Sequence, residues 1–86
     1  MRQYRLNIEA RCRPEILERI LRVTRHRGFQ VNAISMNQRS DGNNVSIEIT
    51  VNSQRPLNIL CSQLMKLVDV FDIKIKQQAV KQSIVM

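Results

Sequence analysis

Cys12, Cys61 and His26 are the residues of this chain whose types could supply a nucleophile, a metal ligand or a redox centre. Zinc needs a cluster of ligands at short recurrent spacings, and one histidine with two distant cysteines offers none. A Cys–His pair can assemble in space, yet no nucleophile motif accompanies this one. A secreted scaffold of this size normally carries more cysteines, so Cys12 and Cys61 read as reduced thiols and small buried packing groups. His26 reads as a cation at a helix C-terminus, complementing the dipole.

The second chemical feature is a concentration of guanidinium. Six arginines, Arg11, Arg13, Arg19, Arg22, Arg25 and Arg27, share the segment 11–27 with two glutamates, Glu15 and Glu18. Four of the chain's seven net positive charges therefore lie in one fifth of its length. A net charge of +7 invites nucleic acid, an anionic membrane or an acidic protein surface. Planar guanidinium forks suit carboxylates better than lysines do, which favours docking on an acidic protein surface. The plainer reading is a solvated helix face, the common fate of surface charge.

The elements that must position these residues follow from the apolar period. Tyr4, Leu6, Ile8, Ala10 and Cys12 alternate with Arg5, Asn7, Glu9 and Arg11, the period of a half-buried strand. Pro14 and Glu15 suit the first turn of a helix whose stripe is Ile16, Leu17, Ile20, Leu21 and Val23, with Gly28 as its stop. That helix is about four turns long. Phe29, Val31, Ile34 and Met36 change phase between Val31 and Ile34, which predicts either a bulge in a second strand or a strand that buries parts of both faces. Ser40–Asn44 marks a hairpin turn, and Val45, Ile47, Ile49 and Val51 form the inward side of a third strand. A second helix opens at Ser53–Pro56 with the stripe Leu57, Leu60, Cys61, Leu64, Leu67 and Val68. Phe71, Ile73 and Ile75 alternate with Asp72, Lys74 and Lys76 in a fourth strand, after which no firm period remains.

This order predicts an α+β, ferredoxin-like βαββαβ domain: a four-stranded antiparallel sheet with two helices on one face. Arg5, Asn7, Glu9, Ser46, Glu48, Thr50, Asp72 and Lys74 would make the open sheet face. Eighty-six residues allow one core, and a domain so small gains stability from a partner. No apolar run reaches the roughly 18 residues of a membrane span, and no apolar region follows the N-terminal charges, so no membrane partner and a cytoplasmic location are expected.

Two functions hosted by this fold are disfavoured by residue type. RNA-recognition modules stack bases on sheet aromatics, whereas the third strand here exposes Ser46, Glu48 and Thr50, and the strand periods send Tyr4 and Phe71 to the core. Specific nucleic-acid binding is not expected; a nonspecific electrostatic association through the arginines stays open. A small hydrolase would need an anion cradle of glycines, but Gly28 and Gly42 are explained by a helix stop and a turn.

The stretch Leu17–Val31, with a helix ending at Arg27-Gly28-Phe29 and entering a strand, resembles the first helix and second strand of an ACT domain. Read with Leu60–Val70, which contains Gln63-Leu64-Met65-Lys66-Leu67-Val68-Asp69-Val70, it is similar to the small regulatory subunits of acetolactate synthase, in the short form associated with isozyme II. The resemblance covers residues 3–76 as one domain and leaves 77–86 as a flexible tail. It implies a non-catalytic chain that docks on a large subunit and activates it in branched-chain amino-acid synthesis. Thiamine diphosphate, magnesium and FAD would belong to that large subunit, with no cofactor or metal on this chain. The alternative within the fold is a stand-alone amino-acid sensor.

The resemblance also implies site residues. ACT domains pair edge to edge, which here assigns Phe29, Val31, Ile34 and Met36 to a homodimer edge. They hold an amino-acid effector between the loop after the first strand and the neighbour's second strand, which corresponds to Arg11, Cys12, Arg13, Pro14 and Glu15 facing Gln30 and Asn32. Effector-binding members carry Asn and Gly where this chain has Cys12 and Glu15, so valine feedback is expected to be weak or absent. Partner docking falls to Arg19, Arg22, Arg25 and Arg27.

Overall fold

The computed structural model describes residues 2–79, with side chains described for residues 2–76. The elements are β1 (Arg2–Arg11), α1 (Ile16–His26), β2 (Gln30–Gln38), β3 (Asn44–Ser53), α2 (Leu57–Leu64) and β4 (Val70–Ala79). The sheet is antiparallel in the order β2-β3-β1-β4, the ferredoxin-like arrangement expected from the order of elements. Strict alternation in β1 and β3 sends Tyr4, Leu6, Ile8 and Ala10, with Val45, Ile47, Ile49 and Val51, to the helix-covered side, all buried. Ile16 and Ile20 of α1 and Leu60 and Leu64 of α2 close that core from above.

Local chemistry fixes the joints. Helix α1 ends in a Schellman motif: Gly28 N–H donates to Arg25 O (3.0 Å) and Phe29 N–H to Thr24 O (3.1 Å). Gly28 sits at φ +86°, and a Cβ there would lie 2.9 Å from Arg55 Nε. Phe29 then enters the core. In the β2–β3 hairpin, Asp41 Oδ1 accepts the N–H groups of Asn43 (2.9 Å) and Asn44 (3.2 Å). Those two backbone donors hold the Asp41 carboxyl below its ordinary range. The bulge expected in the second strand is present: Val31 pairs with Val51 and Ala33 with Thr50, so Asn32 is the extra residue and Ile34 and Met36 return to the inward phase.

Several sequence expectations need correction. Helix α1 has 11 residues, closer to three turns than four. Helix α2 stops at Leu64 because Lys66 N–H and Leu67 N–H turn back three residues, to Gln63 O and Leu64 O, and the tightened turn rotates Val68 off the stripe. Val68 is 83% exposed. Phe71, assigned to the core by its alternation with Ile73, is 51% exposed, because Ala10 pairs with Val70 and Glu9 with Asp72, which makes Phe71 a bulge residue. Ile75 pairs with Leu6 on the inward side, but the edge strand is uncovered there and Ile75 is exposed. Cys12 is exposed rather than buried, since β1 ends at Arg11 and the next N–H leaves for Asn43 O of the hairpin. Cys61 is half-buried. Strand β4 continues to Ala79, and the expected flexible tail beyond it, residues 80–86, lies outside the described residues.

Gly28→Ala is expected to destabilise the fold by about 1–2 kcal/mol through the positive φ alone, and by more than Gly42→Ala, because Arg55 must also move whereas nothing lies within 4 Å of a Cβ at Gly42. Urea denaturation of the two variants beside the parent measures the difference; equal midpoints would contradict it.

Candidate functional site

The loop after β1 is tied down on two sides. Arg11 N–H donates to Asp69 O (2.8 Å) and Cys12 N–H to Asn43 O (2.8 Å), while Arg13 Nε lies 3.5 Å from Asp69 Oδ1. Arg11, Cys12 and Arg13 line a depression of about 350 Å³ with Gly42–Asn44 of the hairpin. Pro14 and Glu15 lie at the entrance to α1 and are exposed. Gln30 lines a different depression, about 570 Å³, with Gly28 and Asn52–Arg55, and Asn32 is the exposed bulge residue of β2. Arg11 is level with Asn44 and Gln30 with Asn52, at opposite ends of β3. At strand rise that separation is about 26 Å. One chain therefore does not bring Arg11, Cys12, Arg13 and Glu15 together with Gln30 and Asn32.

Helix α1 buries Ile16, Ile20 and Thr24 and exposes Arg19, Arg22 and Arg25; Arg27, at its C-cap, is exposed too. The ion pairs among the described residues are Arg5–Glu48 (3.8 Å), Arg13–Asp69 (3.5 Å), Arg39–Glu9 (3.3 Å) and Lys76–Glu48 (4.0 Å), and none uses these four arginines. Arg27 Nη2 donates to Gln63 Oε1 of α2 at 3.0 Å. Arg22 and Arg25 line an open depression of about 500 Å³ with Glu18, Leu21 and His26. Arg22, Val23, His26 and Arg27 face Gln63 across a groove of about 260 Å³. The helical pitch puts Leu17 and Leu21 on the flank away from Gln63, with Leu21 bordering the first of these depressions.

Strand β2 is the outer edge on that side, and eight of its nine residues are exposed. Its sequence, Gln-Val-Asn-Ala-Ile-Ser-Met-Asn-Gln, holds no charged residue. Val31 is half-buried, Ile34 and Met36 are exposed on the helix side of the sheet, and Phe29, just before the strand, is buried. Edge strands that stay solvated are usually blunted by charge or bulges, as β4 is by Lys74, Lys76 and two register shifts.

Sequence reasoning missed the buried polar node on the open sheet face. Glu9 is 8% exposed; its carboxylate accepts from Asn7 Nδ2 (2.7 Å) and Ser46 Oγ (3.0 Å) and meets Arg39 Nε at 3.3 Å. The signal lay in the cross-strand partner of Glu9, Ser46, which only the register supplies. The exposed side chains of Val68 and Phe71 were also missed, for the reasons given above. Among the described residues no three His, Cys, Asp or Glu side chains gather as metal ligands would.

Two helices on one face of a four-stranded antiparallel sheet, in the order βαββαβ, are the plan of an ACT domain. The sequence pattern of that family matches residues 12–73, and the chain belongs to it. More narrowly, it belongs with the acetolactate synthase small subunits: it is 52% identical over 77 residues to the acetolactate synthase isozyme 2 small subunit of Escherichia coli (strain K12), covering 90% of this chain and 88% of that protein, and the Shigella flexneri protein of the same name gives the same figures. Among solved structures, the small subunit of acetolactate synthase from Thermotoga maritima superimposes with a TM-score of 0.76 at 17% identity, over 87% of this chain and 47% of that one. The ACT domain of GTP pyrophosphokinase from Chlorobium tepidum gives 0.72 at 14% identity, over 87% of this chain and 99% of that one. At those identities the two structures speak for the fold.

The two thiols should react in two phases with a disulfide reagent at pH 8. Cys12 is exposed, whereas burial pushes the Cys61 thiol up and lowers its thiolate fraction. Cys12→Ser is expected to remove the fast phase and Cys61→Ser to leave it; a fast phase surviving Cys12→Ser would refute the placement.

Proposed function

We propose that this chain is the non-catalytic regulatory subunit of an acetolactate synthase, docking on the large subunit and raising its activity in branched-chain amino-acid synthesis. The observation that carries this reading is the 52% identity over 90% of the chain to proteins of that name. Thiamine diphosphate, magnesium and FAD belong to the large subunit in this reading, and the assembly works in the cytoplasm. No helix among the described residues is long and apolar enough to cross a membrane.

The docking face is the arginine side of α1, Arg19, Arg22, Arg25 and Arg27. Its support is that among the described residues no carboxylate pairs with these guanidiniums, while Glu9 and Glu48 of the sheet face are already paired. The homodimer edge is β2, supported by its exposure and lack of charge. Two β2 strands paired antiparallel about a two-fold axis give an eight-stranded sheet. That pairing sets Gln30 of one copy level with Gln38 of the other, at the end of the sheet that carries Arg11–Glu15. The composite effector position then forms, but with Arg11 N–H and Cys12 N–H already bonded, no N–H on Pro14, and the Glu15 carboxylate beside it. An amino-acid carboxylate finds few backbone donors there, in keeping with weak or absent valine feedback.

Adding the chain to its purified large subunit is expected to raise acetolactate formation. The rise should weaken with salt, and Arg19→Glu with Arg22→Glu should lower the apparent affinity about tenfold or more; valine in the same assay should leave the rate unchanged. No rise at any ratio would remove the regulatory reading.

Ile34→Lys places a charge on the open edge and is expected to convert a dimer to a monomer in light scattering, with circular dichroism unchanged because Ile34 is exposed. A variant that keeps the parent's mass would exclude the β2 edge.

A further inference from the structure

Met65, Val68 and Phe71 are 48%, 83% and 51% exposed, three large apolar side chains within seven residues of the α2–β4 connection. They stand on two back-to-back turns. Lys66 N–H and Leu67 N–H close the first onto Gln63 O and Leu64 O, and Val70 N–H closes the second onto Leu67 O. Val68 and Asp69 occupy the corners of the second turn. Asp69 is held from below, its carbonyl by Arg11 N–H and its largely buried carboxylate by Arg13. The apolar groups are thus presented on a braced backbone, so little conformational entropy is lost when they are covered. Lys66, in the same connection, and Arg11 and Arg13, both bonded to Asp69, are exposed.

The occupant can be weighed by geometry and charge. A second copy paired through β2 does not reach, since β4 is the opposite edge of the sheet, three strand spacings or about 14 Å away. A second copy docking here about a two-fold axis would set Lys66, Arg11 and Arg13 against their own copies, like charge facing like. An apolar centre with a cationic rim instead complements an apolar side chain flanked by carboxylates.

We infer that Met65, Val68 and Phe71 form the apolar anchor for an acidic-rimmed surface of the acetolactate synthase large subunit, with the α1 arginines steering its approach. The inference rests on the regulatory-subunit reading and divides the work within it. Exposed charges act at a distance and set the association rate and its salt dependence. Desolvated apolar anchors act on contact and set the dissociation rate.

Association and dissociation of the full chain with the purified large subunit, followed by surface plasmon resonance at several salt concentrations, test this. Val68→Ser with Phe71→Ser, which changes no charge, should raise the dissociation rate at least tenfold, leaving the association rate and its salt slope near those of the parent. Val68→Ser alone, at the most exposed position, should raise it several-fold and cannot unfold the core. Arg19→Glu with Arg22→Glu should do the reverse, slowing association and flattening its salt slope. Parent-like dissociation in both patch variants, or an effect confined to association, would overturn the anchor while leaving the regulatory reading intact. A parent chain that neither binds nor activates the large subunit would overturn both.

Discussion

Four rungs of paired apolar side chains hold the two central strands under the helices: Tyr4 with Val51, Leu6 with Ile49, Ile8 with Ile47, and Ala10 with Val45. All eight are buried. In a domain this small, burial of such groups is the main term set against chain entropy. The two helices, 11 and 8 residues long, cap the middle of the sheet and little else. Strand β2 has no fully buried side chain, and of the residues of β4 with described side chains only Val70 is buried. A core concentrated in β1 and β3 leaves both edges short of cover, and uncovered edges are where such a fold meets other chains.

The two edges are finished differently. Strand β4 carries Asp72, Lys74 and Lys76 and two register shifts, devices that discourage another strand from pairing. Strand β2 carries no charge and one bulge, at Asn32 near its start, so the run from Ala33 to Gln38 stays regular. Charge is divided between the faces in the same uneven way. On the open sheet face, Glu9 is too buried to go unpaired and takes Arg39, Asn7 and Ser46, and Glu48 takes Arg5 and Lys76. With those carboxylates occupied, Arg19, Arg22 and Arg25 of α1 are left facing solvent, with Glu18 as the acid in their own first turn. The surplus of positive charge is thus a property of the helix side.

Periodicity made the order of elements and most of the core legible. The bulge at Asn32 was legible too, because an inserted residue shifts the apolar phase from Val31 to Ile34. The bulge at Phe71 left no such trace. Phe71, Ile73 and Ile75 keep a perfect alternation, and the inserted residue sits where one apolar side chain, Val70, already fills the place opposite Ala10. Val68 was lost for a similar reason: the helical stripe fits it, and only the tightening of the turn after Leu64 removes it. Cys12 continued the strand period one residue past the point where the backbone turned away. The loop and edge residues of the candidate site were readable as types, but their separation to opposite ends of one chain depends on the strand register, which no local pattern encodes.

The register also shows what the loop after β1 does within one chain. Its first two N–H groups are spent on Asp69 and Asn43, which stitches together the ends of β1, the hairpin and the α2–β4 turn. Those two donors are structural here. Asp69 is the shared member, bonded through its backbone to Arg11 and through its carboxylate to Arg13, with Val68 as its neighbour on the exposed corner. A load placed on that corner is carried by two bonds into the loop at the end of the sheet toward which a second copy's β2 would point. The same two bonds stiffen the loop between the α2–β4 turn and the end of the sheet nearest Gln38 of the β2 edge.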